Sequence, residues 1–227
     1  MILRNWMEKD PVTTTGDTLV AEALQLLLEK DLRALPVVEQ GRLRGLVTRK
    51  DIQGCAAAVA RAQDKYETEY FLQRLKIKDI MIRMPKTVEA EDTVESCMLR
   101  GQKELIRNYP VMQEGRLVGM VSSYELFEAL SQVLGADEIW CGITLKPMPI
   151  QSGTLGRVAQ VVEKAGAVLY GIFTMRLPDT TDKRIILRFE APDLEAVARA
   201  LEEAGFSVME KTRQVQACAA ANGGNGN

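Results

Sequence analysis

The sequence contains no histidine. That absence removes the commonest general base, the Ser-His and Cys-His nucleophile pairs, and histidine-ligated metal sites. A P-loop and a dinucleotide-type glycine-rich turn are also missing, and no paired carboxylates fall on one face. The reading is therefore a non-enzyme: no catalytic residue, no catalytic cofactor and no metal. Cysteine is sparse, with Cys55, Cys97, Cys141 and Cys218 far apart and no C-x-x-C pair. This is a reduced-thiol pattern, which implies neither a disulfide framework nor a zinc site. No apolar run approaches the roughly 18 residues that span a bilayer. The opening MILRNWMEKDP becomes charged without a signal-peptide core, so the expectation is a cytoplasmic protein with no membrane partner. An excess of basic charge is lacking too, and a net charge of −2 with a pI near 5.5 disfavours a nucleic-acid partner.

What the chain does have is a repeat. Residues 11 to 52 lie over residues 85 to 126 without a gap, and such self-similarity governs the reading of everything else. Pro11 falls on Pro85, Thr13 on Thr87, Arg33 on Arg107, Pro36-Val37 on Pro110-Val111, Gly41-Arg42-Leu43 on Gly115-Arg116-Leu117, and Gly45 on Gly119. Upstream, Met7 falls on Met81. Each unit reads as helix, strand, turn, strand, helix. In the first, Asp17 or Thr18 opens a helix with Val20, Ala23, Leu24, Leu27 and Leu28 at helical spacing. Strands follow at 35–38 and 43–47, joined by a tight turn in which Gly41, like Gly115, supplies a positive φ.

The second strand of each unit runs into Thr48-x-x-Asp51 or Ser122-x-x-Glu125. That spacing is a capping box at a helix start. The same hydroxyl, carboxylate and free helix-terminal amides could equally hold the phosphate and sugar of a nucleotide. Both readings stand on local sequence. The equivalent arginines, Arg33 and Arg107, offer forked and permanently charged donors suited to phosphate. Between the units, residues 56–75 read as a helix with an apolar edge at Tyr66, Tyr70, Phe71 and Leu75, a packing connector or dimer contact.

The repeated h-P-V and G-x-L-x-G-h-h-[TS]-x-x-[DE] pattern resembles a tandem pair of CBS domains, a Bateman-type pair, over residues 1 to about 133. The resemblance implies an adenosyl ligand as effector, held by the Thr/Ser-x-x-Asp motif in a cleft between the units. Carried over residue by residue, it assigns Thr13 and Thr14 to the adenine edge, Leu35-Pro36 to an apolar wall, Arg33 and Arg107 to phosphate, Thr48 to phosphate and Asp51 to ribose. A weaker second site comprises Thr87, Tyr109, Pro110, Ser122 and Glu125, the last replacing the family's aspartate. AMP, ADP, ATP, NAD(H), S-adenosylmethionine and signalling dinucleotides all remain open.

The last third has a different pattern. Strands at 139–145, 167–175, 184–189 and 206–210 alternate with helices at 153–165 and from Leu194 to Leu201, the second capped by Asp193 and ended by Gly205. Strand, helix, strand, strand, helix, strand is a ferredoxin-like split arrangement. The segment SGTLGRVAQVVEKAGAVLYGI resembles the ACT domain, an amino-acid-sensing module that pairs sheet to sheet, with Ser152-Gly153 where that family has Pro-Gly. The resemblance places amino-acid binding at Gln151, Ser152, Gly153, Thr154 and Leu155; simple dimerisation is the other reading.

The expected fold class is α+β: CBS unit 1 at 1–60, a connecting helix at 61–76, CBS unit 2 at 77–133, an ACT-like βαββαβ domain at 137–212 and a disordered tail at 217–227. This order is similar to that of acetoin-utilisation B-type bacterial regulators. It implies a homodimeric sensor that relays an adenosyl ligand to an unidentified protein target, in acetoin or central carbon metabolism. A ligand-free oligomerisation scaffold and an amino-acid sensor are the alternatives.

Overall fold

A computed structural model of the chain describes residues 1–62, 74–136, 138 and 140–213. Tyr66, Tyr70 and Phe71 of the expected connecting helix, and the tail from 217, lie outside the described residues. The chain divides into two compact units, Met1–Leu130 and Ser131–Asn227.

In the N-terminal unit each repeat forms an antiparallel hairpin flanked by helices. The first contains α1 (Val20–Glu29), β2 (Ala34–Glu39), β3 (Arg42–Thr48) and α2 (Arg49–Ala62); the second contains β5 (Val88–Glu89), α4 (Val94–Glu104), β6 (Asn108–Gln113), β7 (Arg116–Ser122) and α5 (Ser123–Val133). The hairpin turns have positive φ at both central residues, Gln40-Gly41 (50° and 74°) and Glu114-Gly115 (50° and 76°). Those are type I′ values, whose twist matches the flanking strands. Both hairpins also shift register one step past the proline, between Val37 and Val38 and between Val111 and Met112.

Each repeat has its own core. Val20, Ala23 and Leu27 of α1 pack with Leu35, Val37, Val47, Ile52, Leu75 and Ile77. Val94 and Cys97 of α4 pack with Leu3, Tyr109, Val111, Val121 and Leu126. Full burial of each large aliphatic contributes ~1.5–3 kcal/mol. Ala34, Leu46 and Met120 form a small cluster joining the repeats.

Leu3 in the second core and Ile77 in the first show that the leader segments are exchanged. Strand β1 (Glu8–Lys9) pairs with β7 of the second repeat, and Val94 N–H donates to Met1 O. The equivalent leader, α3 (Ile77–Ile80) with β4 (Ile82–Arg83), docks on the first repeat: β4 pairs with β3, and Val20 N–H donates to Leu75 O. Gly45 and Gly119 sit beneath these crossings. A Cβ at Gly119 would stand 2.8 Å from Glu8 O, and one at Gly45 3.0 Å from Ile82 O.

The exchange also corrects the expected start of α1. The helix begins at Val20 rather than at Asp17 or Thr18, because those residues receive the leader. Thr18 O accepts from Ile77 N–H, and Asp17 binds both Lys76 Nζ and Lys78 Nζ at 2.9 Å. These two ammonium groups hold the exposed Asp17 carboxyl down to about 2. In the second repeat Thr93 does cap its helix, accepting from Ser96 N–H at 3.1 Å.

The C-terminal unit has the order β8 (Cys141–Leu145), α6 (Thr154–Lys164), β9 (Val168–Arg176), β10 (Lys183–Glu190), α7 (Leu194–Glu203), β11 (Val208–Arg213). The sheet order is β11-β8-β10-β9 with antiparallel neighbours. That is the ferredoxin-like split βαβ connectivity. Cys141, Ile143 and Leu145 alternate onto the helix-covered face with Ile185, Leu187 and Phe189. Asp193 Oδ1 accepts from Glu195 and Ala196 N–H, as a cap should. The last strand starts at Val208, not Phe206. Gly205 turns left-handed (φ +87°) and Phe206 N–H returns to Leu201 O, so the buried Phe206 anchors the helix end instead.

Candidate functional site

The Thr48–Asp51 motif closes on itself as a capping box. Thr48 N–H and Oγ1 both donate to Asp51 Oδ2, at 2.9 and 2.7 Å, and Asp51 N–H donates to Thr48 Oγ1 at 3.2 Å. One carboxylate oxygen thus serves the helix start, leaving Oδ1 with no partner among the described residues. The Ser122–Glu125 motif closes similarly: Glu125 Oε2 accepts from Ser122 N–H at 2.6 Å and from Ser122 Oγ at 2.5 Å. The longer side chain curls back far enough to copy the aspartate.

Around the first motif lies a cleft of about 890 Å³, within the range of small-molecule sites. Leu46 and Thr48-Arg49-Lys50-Asp51 come from the first repeat's strand–helix junction, and Arg33 from the turn before β2. The rest of the lining is Ile82, which pairs with Leu46 across β3 and β4, Met84-Pro85-Lys86, Gly101 and Leu105-Ile106-Arg107-Asn108. Five cations, Arg33, Arg49, Lys50, Lys86 and Arg107, face one carboxylate, Asp51. Arg49 is partly engaged, donating to Leu27 O at 2.9 Å and pairing with Asp31 at 3.0 Å. Lys86 stands 3.5 Å from Glu104, and Arg33 lies 4.8 Å over the Tyr124 ring. Among the described residues Lys50 and Arg107 have no ion-pair partner. Such a surplus in a walled cleft focuses a field that attracts anions.

The equivalent second cleft is about 90 Å³ and is lined by Glu8, Asp31, Leu32, Arg33, Ala34, Asn108, Met120, Ser122 and Glu125. Its three carboxylates face a single cation, Arg33, which lines both clefts. Burial, and then the charge of Glu125, push the Glu8 carboxyl above the usual range. A folded-state pKa above the unfolded value means that stability falls as pH rises through it. Glu8→Gln is therefore expected to raise the thermal midpoint at pH 7 and to converge with the parent below about pH 4. Solvent screening limits the gain to ~0.5 kcal/mol. An equal difference at both pH values would contradict this.

Of the expected primary-site residues, the first cleft gathers Arg33, Thr48, Asp51 and Arg107. Thr13, Thr14, Leu35 and Pro36 do not line it. Thr14 is buried and bonds through its backbone to Pro36 O and Val38 N–H, while Leu35 is fully buried in the first core. Of the weaker set, Ser122 and Glu125 line the second cleft, whereas Thr87, Tyr109 and Pro110 do not; Tyr109 is a core residue. The sequence reading missed the rest of the first cleft's lining, including the cations Arg49, Lys50 and Lys86 and the apolar Leu46, Ile82, Met84 and Ile106. Lys50 could have been noticed inside the motif, but the 82–86 wall depends on the leader exchange.

In the C-terminal unit, Gln151 N–H donates to Thr154 Oγ1 at 3.0 Å, and Gly153 (φ +84°) precedes α6. Gln151, Ser152 and Gly153 are exposed, and Leu155 packs against the core. Trp140 donates to Gly135 O at 2.9 Å, under the Arg188 guanidinium 3.9 Å from its ring. No helix of the described residues is long and apolar enough to cross a membrane, and among them no cluster of His, Cys, Asp and Glu could hold a metal.

Comparison with known proteins matches the CBS domain family to residues 3–56 and 77–132. An inosine-5'-monophosphate dehydrogenase of Korarchaeum cryptofilum is 30% identical over 122 residues, 52% of this chain, although the match spans only 22% of the dehydrogenase. A CBS domain-containing protein of Dictyostelium discoideum is 27% identical over 136 residues, 59% of this chain and 94% of its own length. Among solved structures, an acetoin utilization protein (AcuB) from Vibrio cholerae aligns with a TM-score of 0.50 at 18% identity, over 60% of this chain and 93% of that one. At that identity the likeness is one of fold.

Proposed function

Residues 3–56 and 77–132 are a tandem pair of CBS domains, and from that premise we propose that the protein is a regulatory sensor which binds an adenosyl nucleotide in the first cleft. The observation that carries this reading is the surplus of five cations over one carboxylate around a cleft of about 890 Å³. Leu46, Ile82, Met84, Pro85 and Ile106 supply apolar surface for a base. Arg33 and Arg107 approach from the two repeats to meet phosphate, and Asp51 has a carboxylate oxygen left for a ribose hydroxyl. Thr48, by contrast, keeps its hydroxyl in the capping box until a ligand competes for it.

In the same proposal the C-terminal βαββαβ unit is an ACT-like module that forms a homodimer, and the pair passes ligand occupancy through it to a protein target. Sensing requires that the ligand bind two conformations with different affinity. The chain then acts without catalysis, in a regulatory role of the acetoin-utilisation type. The second reading, a ligand-free scaffold, draws on the self-satisfied capping boxes, which hold their helices without any ligand.

Calorimetric titration separates the two. Saturable binding of ATP or AMP is expected, weakened about tenfold or more in Arg107→Ala, which removes one charge-assisted contact to phosphate. Arg107 makes no ion pair among the described residues, so the variant should fold as the parent does. Absence of heat from any adenosyl compound, with both proteins folded, would leave the scaffold.

A further inference from the structure

The duplication provides its own control, because each cleft residue has a counterpart in the other repeat. The charged positions have diverged in one direction. Arg49, Lys50 and Lys86 of the first cleft correspond to Ser123, Tyr124 and Val12, while Ile82 and Leu105 correspond to the acidic Glu8 and Asp31. The fold is shared and the hairpin registers match, so backbone structure does not require this difference. It concentrates cations in the large cleft and carboxylates in the small one.

Resting on the nucleotide reading above, we propose that the first cleft selects its effector by the number of phosphates, with Lys50 and Lys86 as the specificity-determining residues that read phosphates beyond the first. Its effector is then a nucleoside di- or triphosphate rather than a monophosphate, an uncharged nucleoside or a cationic sulfonium compound. Lys50 stands inside the motif on the first repeat, and Lys86 follows Pro85 in the segment that leads into the second; both line the cleft. Ammonium groups on flexible stems can follow a chain of phosphates of varying length, whereas the guanidinium fork suits one fixed group. Lys50 has no ion-pair partner among the described residues. Lys86 has only the long, exposed contact to Glu104, which costs little to give up. The second cleft repels the same ligands: about 90 Å³ leaves no room for one, and three carboxylates oppose its charge.

The test is calorimetry with adenosine, AMP, ADP, ATP and S-adenosylmethionine on the full chain, on Lys50→Met and Lys86→Met, and on the double variant. Both side chains are exposed, so thermal midpoints should stay with the parent. Expected is an ATP affinity about tenfold or more above AMP, falling to within about threefold in the double variant, while AMP affinity changes little. The preference should also shrink as salt rises. Equal affinity for AMP and ATP in the parent, or S-adenosylmethionine binding as tightly as ATP, would overturn selection by phosphate while leaving the nucleotide reading intact. An ATP preference that survives the double variant would overturn the assignment to Lys50 and Lys86. No binding of any of the five compounds would instead remove the nucleotide reading itself.

Discussion

Asp51→Ala is expected to weaken nucleotide binding about ten- to a hundredfold, the loss of a hydrogen bond to a charged group, ~1.5–3 kcal/mol. Its effect on stability should be smaller, ~1 kcal/mol, because the variant removes the acceptor of the Thr48 amide and hydroxyl at the start of α2. Glu125→Ala provides the contrast, since Glu125 caps α5 in the same way but lines a cleft too small and too acidic for a nucleotide. Both variants should lose similar stability, and only Asp51→Ala should lose binding. If each lowers the midpoint equally while ATP binds both as it binds the parent, the motif is a helix cap and nothing more. Denaturant unfolding and calorimetry on the same three proteins separate these outcomes.

The largest effect on stability is expected from Gly119→Val. A Cβ there would lie 2.5 Å from Met7 Sδ and 2.8 Å from Glu8 O. The methionine can swing away, but the carbonyl belongs to β1 and is fixed by the pairing of Glu8 with Met120 and of Lys9 with Gly119. Either β1 detaches from β7 or the sheet distorts, at a cost of ~3 kcal/mol or more for an overpacked site. Leu3 and the Met1 contact to Val94 follow β1, so the leader of the first repeat should lose protection from hydrogen exchange as a block. Gly54→Ala in α2, which meets nothing within 4 Å, should go the other way by ~0.5–1 kcal/mol. A Gly119→Val midpoint equal to the parent's would refute the close crossing.

The crossing also explains a feature that the repeat displays but does not interpret. Gly45 falls on Gly119 and Met7 on Met81, and in each case the methionine of one leader covers the glycine of the other repeat. By chain order residues 1–9 belong with the first repeat, which follows them. They pack instead on the second repeat, 75–83 pack on the first, and this carries Met84, Pro85 and Lys86 to the cleft of Thr48 and Asp51. The resemblance places Thr13 and Thr14 with Asp51, but neither lines the cleft, whose residues come from the two repeats. The paired clefts draw on both.

What the sequence by itself determined are the features written in short-range chemistry. A glycine in a tight hairpin turn supplies a positive φ at low cost, a hydroxyl three residues before a carboxylate makes a capping box, and apolar spacing fixes which face of each helix or strand turns inward. The split βαβ order of the C-terminal unit was legible for the same reason. Only the tertiary structure decided which leader packs on which repeat, which walls meet across a cleft, and that Arg33 lies in both clefts. These depend on pairings between residues distant in the chain, such as Leu46 with Ile82 and Glu8 with Met120, and a strand of two residues has no periodicity to announce its partner. The opposite charges of the clefts were present in the sequence throughout, but acquired meaning only once folding gathered Lys50 and Lys86 into one cleft and Glu8 and Glu125 into the other.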